Sequence, residues 1–153
     1  MRGAIQLLYR LKRGLIGLLR LRTRGVKVMV FNAAGELLLI RNSYGNDRAF
    51  VLPGGGIRPF ESPSAAAARE VREEVGIVAE RLKPLSVHQS RAEGKRDTIH
   101  LFSAYSEDAP TPDEVEVEEA GFFALDALPE TVSAATLRRI GEFRGERAVD
   151  PAW

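Results

Sequence analysis

The hydrophobic pattern divides the chain into a leucine-rich start with helical periodicity and a body of short strands and helices. Ala4, Leu8, Leu11, Leu15, Leu18 and Leu19 recur on one broad helical face, and Arg2, Arg10, Arg13, Arg20 and Arg24 fall on the opposite one. The spacing predicts a basic amphipathic helix over residues 1–24, which Gly14 and Gly17 would allow to bend. Its longest uncharged stretches, Gly3 to Tyr9 and Gly14 to Leu19, are too short to span a bilayer. Arg10, Lys12 and Arg13 also interrupt any signal-peptide core.

From Val26 the period shortens. Val26 to Phe31 reads as a strand, Asn32 to Gly35 as a turn and Glu36 to Ile40 as the returning strand of a hairpin. A short strand around Ala49 to Leu52 is broken by Pro53 and the run Gly54-Gly55-Gly56. A helix is then expected, with Ser62 as N-cap, Pro63 in its first turn, Ala65 to Ala68 as helix formers and Gly76 as its stop. Strands follow at Leu85 to Gln89, Thr98 to Tyr105 and Gly121 to Leu125, and a closing helix spans about Thr131 to Phe143. This order gives a mixed α/β sandwich for residues 25–153, preceded by the helix.

Composition changes the picture in two places. The 153 residues suit one domain, and the absence of cysteine excludes a disulfide scaffold, a thiol nucleophile and thiolate metal sites. That is consistent with a cytoplasmic enzyme. The net charge of +1 conceals a basic head of eight Lys/Arg and no acid in residues 1–35, on a body of −7. Three uses of the head stay open. It could cover the body or form a homodimer contact, lie on an anionic membrane surface as a peripheral anchor, or bind a polyanionic substrate or RNA. No DNA-binding domain is appended, so DNA is not an expected partner.

The candidate chemistry lies in Gly55 to Ile77, GGIRPFESPSAAAAREVREEVGI. Glu70, Glu73 and Glu74 fall on one helical face, where they either bind a hard cation such as Mg²⁺ or Mn²⁺ or form a solvated face with Arg69 and Arg72. The glycine run ahead of them lets backbone approach a ligand closely. The segment resembles the Nudix box: Gly55, five residues, Glu61, seven residues, Arg69-Glu70, then Val71, Glu73-Glu74, Gly76 and Ile77. Phe50 to Gly55 is similar to the strand that enters the box in that family, and a looser likeness extends over residues 25–145.

The resemblance implies a Nudix-type α/β/α sandwich and metal-dependent hydrolysis of a small-molecule substrate, a nucleoside diphosphate linked to another moiety. It places Glu70, Glu73 and Glu74 among the metal-ligating carboxylates, with the Gly55 carbonyl completing the site. Arg69 becomes the residue that orients the glutamates, and Glu61 a supporting partner. The family's general base is either a box glutamate, here Glu73, or one in a later acidic loop, where Glu116 of Asp113 to Glu119 is the best match by spacing. That acidic run reads equally as a solvated loop. A non-catalytic ligand-sensing or partner-binding module on the same fold is the alternative function.

His88 and His100 read as half-buried strand histidines, Phe50 and Tyr44 as candidate stacking partners for a base, and Trp153 as a frayed end. Arg91, Lys95 and Arg96 read as a solvated basic turn or as phosphate contacts. The proline or tyrosine that marks some ADP-ribose and dinucleoside-polyphosphate subfamilies is missing at Ala92 to Lys95.

Overall fold

The computed structural model describes residues 22–45, 48–91 and 96–153. Apart from Arg22 to Arg24, which already belong to a strand, the expected head helix lies outside these residues, as do Ala92 to Lys95. In chain order the elements are β1 (Arg22–Phe31), β2 (Leu37–Asn42), α1 (Pro63–Val75), β3 (Glu80–Ser90), β4 (Arg96–Tyr105), β5 (Val117–Phe123) and α2 (Ala134–Phe143). The strands form one mixed sheet in the order β3-β4-β1-β2-β5. β1 runs parallel to β4, from Arg22 opposite Arg96 to Phe31 opposite Tyr105, and the other pairings are antiparallel.

Alternation along β1 sorts the core into two layers. Val26, Val28 and Val30 join Leu38, Ile40 and Phe102 against Ala66, Ala67, Val71 and Val75 of α1. Met29, Leu37, Leu39, Phe50, Leu52 and Leu101 face the other way, against Ile140 of α2. The result is a helix on each face of the sheet, the α/β/α sandwich the sequence implies. Among the described residues no helix is long and apolar enough to cross a membrane.

The sheet is split, and the split places the site. β1 and β2 pair only where their hairpin closes, at Phe31 and Leu37. Below that they diverge, and the segment Phe50 to Ile57 fills the gap. It pairs first with β2, where Ile40 and Val51 exchange both backbone hydrogen bonds. It then crosses to β1: Val28 N–H donates to the Pro53 carbonyl (3.0 Å), Val26 N–H to the Gly55 carbonyl (2.9 Å) and Ile57 N–H to the Arg24 carbonyl (2.9 Å). Residues 49–52 are therefore not the independent strand expected but part of this wedge. Phe50, expected as a stacking partner for a base, is 4% exposed and packs edge-on against Phe123 at 5.2 Å.

β3 extends five residues further toward the N-terminus than its pattern suggests, because it is an edge strand. An edge tolerates Pro84 and charged Glu80, Arg81 and Lys83, none of which reads as strand. The C-terminus corrects another expectation. Trp153 is docked rather than frayed: its backbone N–H donates to the Gln89 carbonyl (2.9 Å), and its ring lies edge-on to His88 (5.7 Å) under the Arg139 guanidinium (5.3 Å). His88 is fully buried, bonded to the Ser86 hydroxyl and the Asp150 carbonyl at 2.7 Å each. It is a satisfied core histidine.

Candidate active site

α1 starts and stops where its sequence dictates. The Ser62 hydroxyl accepts the Ala65 N–H (3.1 Å), Pro63 occupies the first turn, and Gly76 turns left-handed at φ 68° with its N–H on the Arg72 carbonyl. These limits fix which face of α1 meets the wedge. Val71 and Val75 pack into the core, and Glu70 and Glu74, the residue before each, lie against the glycines.

One arginine organises the carboxylates. Arg69 grips Glu61 with two nitrogens (2.6 and 2.9 Å), reaches Glu70 (2.7 Å) and Glu73 (3.1 Å), and donates to the Gly56 carbonyl (2.9 Å). A fork of donors on three carboxylates and a backbone carbonyl fixes their geometry in a way that a lysine could not. Hydrogen bonds from Arg69, then from the Arg58 N–H, pull the Glu61 carboxyl down to about 2. Glu73 is half exposed and is also held by Arg58 (3.1 Å). Phe60, just before Glu61, is a fully exposed aromatic in the left-handed region (φ 64°). Phe60→Gly is expected to stabilise the fold by about 1 kcal/mol through relief of that strain, readable in urea denaturation.

Glu74 is the buried member. It is 4% exposed, accepts the Gly54 N–H (2.9 Å), and is pushed up to about 8, chiefly by desolvation. Lys27 and the Gly54 N–H oppose the shift, and Glu70 and Glu116 add to it. The Glu70 carboxylate lies where a side chain on Gly55 would begin: a Cβ there would stand 2.6 Å from its Cδ. The Gly55 carbonyl, which the resemblance assigns to metal, accepts the Val26 N–H, a bond that uses one of its two lone pairs.

Glu116 is brought toward this cluster. The Asp113 carboxylate accepts the N–H groups of Val115, Glu116 and Val117 at 2.8–3.1 Å, and the Asp113 N–H donates to the Glu74 carbonyl (3.1 Å). The acidic run is thus a built loop tied to the end of α1, and the Glu116 charge acts on Glu74. The Ser43 N–H holds the loop from β2 through the Glu116 carbonyl (2.9 Å). Arg91 and Arg96 lie elsewhere. With Gln89, Ser90 and Thr98 they line a cavity of about 360 Å³ at the ends of β3 and β4, which no box residue lines. His100 is half-buried on β4, and Tyr44 half-buried in the bend after β2.

Sequence reasoning missed Lys27, which it counted in the basic head. The Lys27 ammonium donates to the Leu52 carbonyl (2.9 Å) within the field of Glu74 and Glu70. No local signal marks it, because its neighbours are set by the wedge crossing from β2 to β1.

The donor chemistry of Glu70 and Glu74, hard carboxylate oxygens, suits a hard divalent cation. Burial of Glu74 beside other acids disfavours its ionised form. Among the described residues no three His, Cys, Asp or Glu side chains already stand ready to hold a metal. Arg69 pairs with Glu70 and Glu73, and Arg58 with Glu73.

A family model described as NUDIX domain matches residues 21–141. The isopentenyl-diphosphate Delta-isomerase of Streptomyces griseus is 33% identical over 120 residues, covering 70% of this chain and 59% of that protein. Diphosphoinositol polyphosphate phosphohydrolase 2 of Rattus norvegicus is 34% identical over 68 residues, 44% of this chain and 37% of its own. The chain thus spans less than two thirds of either relative. The crystal structure of a MutT NUDIX hydrolase from Burkholderia pseudomallei superposes with a TM-score of 0.70 at 28% identity, covering 78% of this chain and 96% of that one.

Proposed function

The chain belongs to the Nudix family, and on that premise we propose that it hydrolyses the P–O–P linkage of a nucleoside diphosphate joined to another moiety, with Mg²⁺ or Mn²⁺. The observation that carries this reading is the gathering of Glu61, Glu70 and Glu73 by Arg69 beside the buried Glu74 at the glycine wedge. A non-catalytic module would have no need of so much desolvated, like-signed charge in one place.

Glu70 and Glu74 would hold the divalent ion, with Glu73 joining them as its contact to Arg58 gives way. Such an ion would supply charge neutralisation for the diphosphate and activation of the attacking water. Arg69 keeps Glu70 in place through the Gly56 carbonyl and Glu61, a role of orientation. At Gly56, which has open space beside it, the backbone would let the diphosphate approach close to the carboxylates. Glu73 and Glu116 are the candidate bases for the attacking water, Glu73 as the more exposed box carboxylate and Glu116 on a loop pinned beside Glu74.

Incubation with a panel of nucleotide sugars, nucleoside triphosphates, dinucleoside polyphosphates and capped RNA, each with Mg²⁺ and with Mn²⁺, tests the reading. Metal-dependent release of two phosphate-bearing products is expected from at least one of them. Unchanged substrates throughout would favour the binding-module alternative, and rearrangement without cleavage would favour chemistry of the isomerase kind. Glu116→Ala is expected to lower kcat by about a hundredfold if Glu116 is the base. Turnover within a few-fold of the parent would leave Glu73 in that role.

A further inference from the structure

We infer that Lys27 makes the site favour a divalent cation together with a diphosphate over the cation alone, by holding a fixed positive charge behind the glycine wedge. The inference rests on the diphosphate reading above and adds to it a residue outside the box.

The placement follows from strand alternation. Val26 and Val28 pack against α1, so Lys27 between them leaves β1 on the opposite face, at the level of Leu101 on β4. Its Cα lies against Gly54: a Cβ on that glycine would come within 2.9 Å of it. The ammonium returns to the wedge and donates to the Leu52 carbonyl at 2.9 Å. The wedge therefore has the α1 carboxylates on one side and a lysine on the other, Glu74 bonded at Gly54 and Lys27 at Leu52.

Burial of an ammonium is costly unless something nearby compensates. Burial is the largest influence on Lys27 and lowers its pKa, whereas the carboxylates of Glu74 and Glu70 act to keep it charged. Within a partly desolvated cleft its charge reaches across several ångströms. It repels a bare divalent cation at Glu70 and Glu74, and it attracts the anionic diphosphate that accompanies the cation as substrate. Displacement of a proton from Glu74 by a divalent ion still adds one positive charge to the site. The sign is therefore the same whichever form of Glu74 the ion meets.

The same charge thus works in opposite directions on the two ligands, which a merely structural role would not do. Lys27→Met keeps the length of the side chain and removes the charge. Lys27→Arg keeps the charge. Mn²⁺ binding alone and Mn²⁺-dependent binding of methylenediphosphonate are measured by calorimetry on the full chain. Lys27→Met is expected to bind Mn²⁺ about three- to tenfold more tightly and the diphosphonate about three- to tenfold more weakly. Lys27→Arg is expected to stay close to the parent in both. Parallel weakening of both ligands in Lys27→Met, or no change in either, overturns the proposal, as does an arginine variant that behaves like the methionine one. A parent chain that binds Mn²⁺ but no diphosphonate overturns the diphosphate reading instead, and the two failures are told apart by the parent's own titration.

Discussion

Glu74→Gln is expected to reduce turnover by about a hundredfold or more while the protein keeps its fold, and to remove a pH dependence of stability that the parent shows without metal. The amide can still accept the Gly54 N–H, so the wedge keeps its contact with α1. The pH effect follows from linkage. In the metal-free fold burial pushes the Glu74 carboxyl up to about 8 from an ordinary 4.5, so between those values the folded state holds a proton that the unfolded chain has released. That contribution is fully present below 4.5 and disappears as pH rises through 8. Melting temperatures of the parent in chelator should therefore fall between pH 5 and 8, and added divalent ion should restore them. The Glu74→Gln profile should be flatter over the same range. Identical profiles for parent and variant would show that burial of this carboxyl does not govern stability, and near-normal turnover would remove it from the metal site.

The three glycines of the wedge are expected to respond to alanine in three different ways. At Gly54, φ is 145°, and a Cβ would meet the Val26 carbonyl oxygen at 2.1 Å and the Lys27 Cα at 2.9 Å. Only backbone displacement can relieve that overlap, so Gly54→Ala should cost about 3 kcal/mol or more in urea denaturation. At Gly55 the new methyl would meet only the Glu70 carboxylate, within 2.6–2.8 Å. Gly55→Ala should keep most of its stability but lose metal affinity as Glu70 is pushed aside. Gly56 faces open space, and Gly56→Ala should be close to neutral in both measurements. Equal losses at all three positions would mean that the run is retained for flexibility rather than for space.

How much of this could be read from the chain depends on how local each signal is. α1 was legible to the residue at its capped ends, because Ser62, Pro63 and Gly76 act on their immediate neighbours. The box glutamates were legible for the same reason, since helical spacing alone puts Glu70, Glu73 and Glu74 on one side. β3 was half-read because an edge strand satisfies only one neighbour and so tolerates Pro84 and charge. β5 begins at buried Val117 within a run dominated by acids, whose outward side chains find Arg48 and Arg41 on the neighbouring chain segments. Lys27, Phe50 and Trp153 share the opposite situation. Each takes its role from a partner more than 20 residues away, respectively Leu52, Phe123 and His88. Nothing in the local pattern points to such partners.

The split sheet gives the wedge an unusual mechanical status. A catalytic loop normally sits on a scaffold and can move without disturbing it. Here the N–H groups of Val26 and Val28, in the central strand, have the loop itself as their acceptor. The loop cannot lift away without leaving two core amides unpaired in the middle of the sheet. Slow amide exchange at Val26 and Val28 would thus report on an intact site, and opening of the site and fraying of the central strand would be a single event. A device meant to admit substrate would have to be sought in the parts that rim the wedge, such as the Asp113-capped loop, rather than in the wedge.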